Sequence, residues 1–147
     1  MVGQKKSVKK KFEFLPHTAD AKFRAYGKNI EECFVNAALA VTAIMFDYSR
    51  IKPLLKKEVS VNGRDLKALL YNWIEELLYL LDAEGFVLGR IEQLQIKKKE
   101  GNGWLLTAVL IGDTDQGKYE VIGPVVKAAT YNEMEISDDY VQVVVDI

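Results

Sequence analysis

The strongest constraint on the fold is that only strand patterns follow Gly85. Four segments of alternating or continuous apolar residues, at about 86–98, 104–112, 125–136 and 140–147, are typical of β-strands. Strands that follow one another without helices between them pair antiparallel, because a parallel pair needs a long crossover connection. The C-terminal half of the chain therefore predicts an antiparallel sheet.

Two helices are predicted in the N-terminal half. Asn29 followed by Glu32 is typical of a capping box and predicts a helix at about 29–46. Asp65 is a suitable N-cap for a second amphipathic helix at about 65–82. Two strand patterns precede the first helix and one lies between the helices. This order predicts an α+β fold, a single two-layer domain with a mostly antiparallel sheet and two helices on one face.

The apolar sides of these elements define the predicted core and the class of protein. The chain has 147 residues and is 49% hydrophobic, which is enough for one hydrophobic core. A single cysteine, Cys33, excludes an internal disulfide framework, so we expect a buried thiol in a cytoplasmic protein. No apolar run approaches the length of about 20 residues that spans a membrane, so we expect no membrane segment. The core is predicted to include Phe23, Phe34, Val41, Leu70, Trp73, Leu77 and Val143.

Charge is unevenly distributed along the chain. Residues 1–11 contain five lysines and no acidic residue, whereas the whole chain has a formal net charge of -1, so residues 12–147 are acidic. We predict a basic, flexible leader at 1–11 and one domain at 12–147. An acidic domain is a poor reader of nucleic acid, because phosphate neutralisation supplies most of the affinity. Any contact with RNA is therefore expected to run through a protein partner.

Few segments carry the residues of a catalytic site. The chain has one histidine, His17, and neither a G-x-S-x-G motif nor a phosphate-binding glycine loop. The segment GDTDQG, Gly112–Gly117, lacks the later ligands of a calcium loop and is interpreted as a solvated hairpin tip. Nucleophilic catalysis is therefore poorly supported.

Carboxylates at two strand ends are the remaining candidates. Asp20 lies on the polar side of a strand start, and Asp146 is followed by the terminal carboxylate of Ile147. If they meet, these three groups form an oxygen-donor set that suits Ca²⁺, Mg²⁺ or Mn²⁺. The residues alone leave a second interpretation open, a capping aspartate and a frayed acidic terminus.

Four motifs, in this order, are similar to those of a known family. They are HTAD (His17–Asp20), LLYNWIEELLYLLD (Leu69–Asp82), VKAATY (Val126–Tyr131) and the terminal Asp146-Ile147. With them the sequence resembles the archease family over nearly its whole length, from about Phe12 to the last residue.

The resemblance implies a divalent metal ion held by Asp20, Asp146 and the oxygens of Ile147. Ca²⁺ is the expected ion, with Mg²⁺ or Mn²⁺ as alternatives. His17 and Lys127 are implied to lie around the ion or to contact a partner, because a neutral imidazole is a poor ligand for a hard ion. The chain departs from the family at Asn132, where we expect a histidine.

The function implied by the resemblance is that of an accessory protein and not of an enzyme. Archeases assist RtcB-type ligases, which join 3'-phosphate and 5'-hydroxyl RNA ends in tRNA splicing. They promote guanylylation of the ligase and repeated turnover. The partner is then the ligase, with tRNA reached only indirectly. Two alternatives remain, a general chaperone or interaction module and a standalone metal-dependent phosphoesterase.

Overall fold

The computed structural model describes residues 10–17, 20–115 and 117–147. The elements in chain order are β1 (Phe12–Leu15), β2 (Ala21–Tyr26), α1 (Ile30–Met45), a short 3-10 helix (Tyr48–Arg50), β3 (Leu55–Gly63), α2 (Leu66–Glu84), β4 (Phe86–Lys98), β5 (Trp104–Thr114), β6 (Ala128–Ala129), β7 (Glu135–Ile136) and β8 (Tyr140–Asp146). Most of the predicted leader, residues 1–9, lies outside the described residues. At its end, Lys10 forms an ion pair with Glu13, with an N–O distance of 2.6 Å.

The described strands form two antiparallel sheets. One has the order β1-β2-β8-β6, with β7 also paired to β8, and the other has the order β3-β5-β4. The α+β class and the antiparallel pairing are confirmed. The division into two sheets was not predicted. It arises because the chain leaves β5 at Thr114 and forms the next strand only at Ala128, so β5 pairs with β3 and β4 and not with β6.

Both helices contact both sheets. α1 packs on β1, β2 and β8 of one sheet and on β4 of the other, and α2 contacts β3, β4 and β5 as well as β6 and β7. The Nε1–H of Trp73 on α2 donates a hydrogen bond of 2.8 Å to the carbonyl of Phe34 on α1. The seven predicted core residues are all buried in one continuous cluster. The two sheets therefore share a single core.

The helix ends follow the predicted caps closely. The side chain of Asn29 accepts from the backbone N–H of Glu32, and that of Asp65 accepts from Ala68, each at 2.8 Å. Gly85 ends α2 in the left-handed conformation, with φ of 67°, which a glycine adopts without steric cost. In the described part of the chain, no helix is both long enough and apolar enough to cross a membrane.

Two local predictions were wrong. The strand predicted at about 125–136 is limited to β6 and β7, because Glu133 between them has a left-handed backbone with φ of 53° that interrupts pairing. The predicted solvated tip at Gly112–Gly117 begins with two residues that are buried within β5, Gly112 and Asp113. By contrast, Cys33 is a buried thiol as predicted, and burial raises its pKa to about 11.

Candidate functional site

Asp20 and Asp146 lie at the same end of the neighbouring strands β2 and β8 in the five-stranded sheet. β2 and β8 pair antiparallel with Ala21 opposite Val145 and Lys22 opposite Val144. Continuing this register by one residue places Asp20 opposite Asp146. Residues directly opposite each other in an antiparallel pair share a face, with Cβ atoms about 4.5–5.5 Å apart. The two carboxylates predicted as metal ligands are therefore cross-strand neighbours.

On the side of β8 away from β2, Asp146 pairs with β6. Ala128 is opposite Asp146 in the β6–β8 pair, and the backbone N–H of Lys127 donates to the Asp146 carbonyl at 2.7 Å. Ile147 is partly buried and packs against the core. The C-terminal residues are thus held by strand pairing and packing. The side chain of Lys127 is exposed and extends from a backbone that the sheet fixes in place.

His17 lies beside the carboxylates in the turn before β2. Its Nδ1 is 3.9 Å from the Oδ2 of Asp20, and its Nε2 is 3.1 Å from the Oε2 of Glu133. The imidazole is 17% exposed. Nδ1 itself is buried and has no hydrogen-bond partner among the described residues, which exclude residues 18 and 19.

Glu133 and Lys22 were not predicted from the sequence. The Nζ of Lys22 donates to the Oε1 of Glu133 at 2.8 Å. The hydrogen bond from Lys22, followed by the one from His17, lowers the pKa of Glu133. His17 and Glu133 are 116 residues apart in sequence. Alternation along the strand places Lys22 on the same side of β2 as Asp20. No sequence pattern, however, indicates that Lys22 or His17 contacts Glu133.

The donor set at this edge fits a divalent cation. Asp20, Asp146 and the terminus of Ile147 all supply oxygen, which hard cations prefer. Two carboxylates that face each other repel unless a cation or a proton is shared between them. In residues 10–17, 20–115 and 117–147, no three His, Cys, Asp or Glu side chains form a metal-binding group. The predicted ligand set contains only two such side chains, and its third member, Ile147, would contribute backbone oxygens.

Comparison with known proteins shows the family of this chain. The sequence profile of the Archease protein family matches residues 12–147. This chain belongs to the archease family. Protein archease of Pyrobaculum neutrophilum is 43% identical over 141 residues, covering 92% of this chain and 95% of that protein. Protein archease of Methanosarcina mazei is 37% identical over 142 residues, covering 94% and 97%. The solution structure of Methanobacterium thermoautotrophicum protein 1598 matches with a TM-score of 0.77 and 32% identity, covering 93% of this chain and 99% of that one.

The motifs that resemble the archease family converge in the structure. The HTAD turn leads into β2, VKAATY contains β6, and the terminal pair ends β8, so three motifs lie on neighbouring strands. The helical motif contacts one of these strands, β6, because the Oε2 of Glu75 on α2 accepts from the backbone N–H of Ala129 at 2.8 Å. Asn132, where a histidine was expected, is exposed and lies shortly after β6.

Proposed function

We propose that this protein binds one divalent metal ion through Asp20, Asp146 and the oxygens of Ile147 and acts in the cytoplasm as an accessory factor of an RtcB-type RNA ligase in tRNA splicing. The observation that carries the proposal is the convergence of Asp20 and Asp146 at one sheet edge, in a chain of the archease family. Ca²⁺ is the expected ion, with Mg²⁺ or Mn²⁺ as alternatives, because all the donors are oxygen.

The residues around the carboxylates suit contact with a partner. Lys127 has an exposed side chain on a backbone anchored to Asp146, so its ammonium group can reach outward from a fixed point. The bound ion would supply concentrated positive charge, which stabilises phosphoryl groups at a metal-dependent nucleotide site. In this proposal the chain promotes guanylylation of the ligase and repeated turnover, and the ligase carries out the chemistry and binds tRNA.

One observation favours a broader interaction module as the second candidate. A groove of about 710 Å³ lies between α2 and the segment that leads to β6. Three of its lining side chains, Tyr79, Val121 and Val125, are large, apolar and exposed.

Pull-down from cell extract separates the candidates, because recovery of one RNA ligase supports the accessory factor and a broad set of clients supports the general module. A standalone phosphoesterase is the least supported alternative, since two-metal hydrolases use more acidic and histidine ligands than meet among the described residues.

The decisive experiment measures ligase turnover and Ca²⁺ binding with Asp20→Ala, Asp146→Ala and a variant extended beyond Ile147. We expect each variant to fold like the parent protein, because Asp20 and Asp146 lie at strand ends with side chains that are not buried. Each variant should lose most Ca²⁺ affinity and most stimulation of ligation. Asp138→Ala is the matched control, because Asp138 is an exposed carboxylate in the turn before β8. If all three site variants stimulate the ligase like the parent protein, the metal site has no part in the function.

A further inference from the structure

Glu133 is the residue that joins the turn before β2 to the segment between β6 and β7. Its two carboxylate oxygens accept from different donors. Oε2 is 3.1 Å from the Nε2 of His17, and Oε1 accepts from the Nζ of Lys22 at 2.8 Å. One side chain therefore contacts both the imidazole beside the candidate metal site and the strand that carries Asp20.

The backbone of Glu133 is held in a conformation that residues with a Cβ seldom adopt. Its φ is 53°, in the left-handed region. Its carbonyl accepts a hydrogen bond of 2.8 Å from the side chain of Gln142, which is 2% exposed and in turn accepts from Arg24 at 2.9 Å. Such a conformation persists only where the surrounding contacts specify it, and these positions concentrate at functional sites.

The partner of Nε2 determines which nitrogen of His17 carries the proton. An ionised carboxylate can only accept hydrogen bonds, so the nitrogen that faces Glu133 has to be the N–H. In a neutral ring the other nitrogen, Nδ1, then has a free lone pair. Nδ1 is buried, has no partner among the described residues and is 3.9 Å from the Oδ2 of Asp20, too far for a direct hydrogen bond.

We propose that Glu133 is a positioning residue, which holds His17 in the Nε2–H tautomer and keeps the Nδ1 lone pair as an acceptor that faces Asp20. The imidazole then serves the site as an acceptor, able to share a hydrogen-bond donor, such as a water molecule bound to the ion, with the Asp20 carboxylate. This inference deepens the proposed function, on which it rests for the identity of the bound ion. The tautomer itself can be measured without any ion or ligase.

The test uses nuclear magnetic resonance of the full chain labelled with ¹⁵N-histidine. Because His17 is the only histidine, one imidazole accounts for every ring signal, and long-range proton–nitrogen correlations distinguish a protonated from an unprotonated ring nitrogen. At mildly alkaline pH without metal, we expect the parent protein to show a single form with the proton on Nε2. A proton on Nδ1 in the parent protein would overturn the proposal.

Two substitutions at Glu133 and one control separate positioning from a structural effect. In Glu133→Ala the acceptor is lost, so both tautomers become populated and the two nitrogen signals move towards each other. Glu133→Gln should act in the same direction, because an amide can also donate to Nε2. Asp138→Asn removes an exposed carboxylate from the turn before β8 and should leave the His17 signals unchanged. Parent-like spectra in both Glu133 variants would refute the positioning role.

A Ca²⁺ titration followed on the same signals keeps this inference distinct from the proposed function. We expect the Nδ1 signal of the parent protein to move on Ca²⁺ addition, and Glu133→Ala to need about ten-fold more Ca²⁺, as is common when a group that orients a metal site is removed. Equal Ca²⁺ requirements would show that the tautomer is irrelevant to the site. If the parent protein binds no Ca²⁺, the proposed metal function fails, while the tautomer result still decides the role of Glu133.

Discussion

Asp113 is a carboxylate at the end of β5 that is 3% exposed. Its Oδ2 accepts from the hydroxyl of Tyr119 at 2.7 Å, and its Oδ1 accepts from the backbone N–H of Thr114 at 2.8 Å. The Nζ of Lys118 is 3.3 Å away. These contacts, with the Tyr119 hydrogen bond as the largest cause, lower the pKa of Asp113 below its ordinary value of 3.8. The charged form is therefore the one that the folded state favours.

This contact set predicts a pH-dependent stability difference between the parent protein and Asp113→Asn. A lowered pKa in the folded state contributes stability that is fully present above the unfolded value of about 3.8 and disappears as the pH falls through the lower folded value. At neutral pH, Asp113→Asn should lower the Tm. The gap between the two proteins should narrow below pH 3.8. Thermal unfolding over a pH series measures it, with Asp138→Asn as an exposed control. A gap that stays constant with pH would contradict the role of the charge.

At the scale of the elements, β6 is the one most dependent on its neighbours. It has two residues and pairs only with β8 among the described strands. α2 supports it through the Glu75 side chain, which accepts from Ala129, and through Tyr71, whose ring stacks on Tyr131 with centroids 4.5 Å apart. Because the backbone N–H of Lys127, directly before β6, donates to the Asp146 carbonyl, α2 contributes to the shape of the candidate site.

Glu75→Ala tests this support. The variant leaves the backbone N–H of Ala129 without its acceptor, so we expect a loss of stability on the order of 1 kcal/mol. Hydrogen exchange should become faster at Ala129 and Lys127, while β2 and the centre of β8 keep their protection. Glu76→Ala, at the next position of α2, is the matched control. Faster exchange spread evenly over the whole domain would indicate general destabilisation and not the loss of a specific support.

At the scale of the whole molecule, the separation of charge sets what the protein can bind. The chain carries 20 basic and 21 acidic residues, yet five of its lysines fall in the first eleven positions. The remaining surface is therefore net acidic and repels phosphate backbones. In the proposed function this is an advantage, because the acidic edge that binds the ion is directed to the ligase and not to free RNA.

This distribution predicts weak, leader-dependent RNA binding. Any affinity for tRNA halves should fall steeply with salt and disappear when residues 1–9 are removed. That deletion keeps Lys11, whose carbonyl accepts from the N–H of Tyr26 at 2.8 Å, so β1 stays intact. Fluorescence anisotropy at several salt concentrations measures the effect. Submicromolar binding by the shortened chain at physiological salt would show that the domain itself reads RNA.

Local sequence patterns were sufficient to predict the features that depend on neighbouring residues. The caps at Asn29 and Asp65 were predicted, because each satisfies hydrogen bonds within one helical turn. The buried side chains were predicted for the same reason, since helix and strand periodicity decide which face is apolar. Alternation placed Asp20 and Asp146 on the polar sides of their strands, and the family resemblance connected them.

Contacts between distant segments could not be predicted from the sequence and are seen only in the folded chain. The hydrogen bonds of Glu133 to His17 and to Lys22 span 116 and 111 residues, and that of Glu75 to Ala129 spans 54. The division into two sheets and the left-handed backbone of Glu133 also depend on the packing of the complete chain. No local pattern encodes such contacts, because their geometry follows from which strands pair and in which register, and that is settled only when the common core forms.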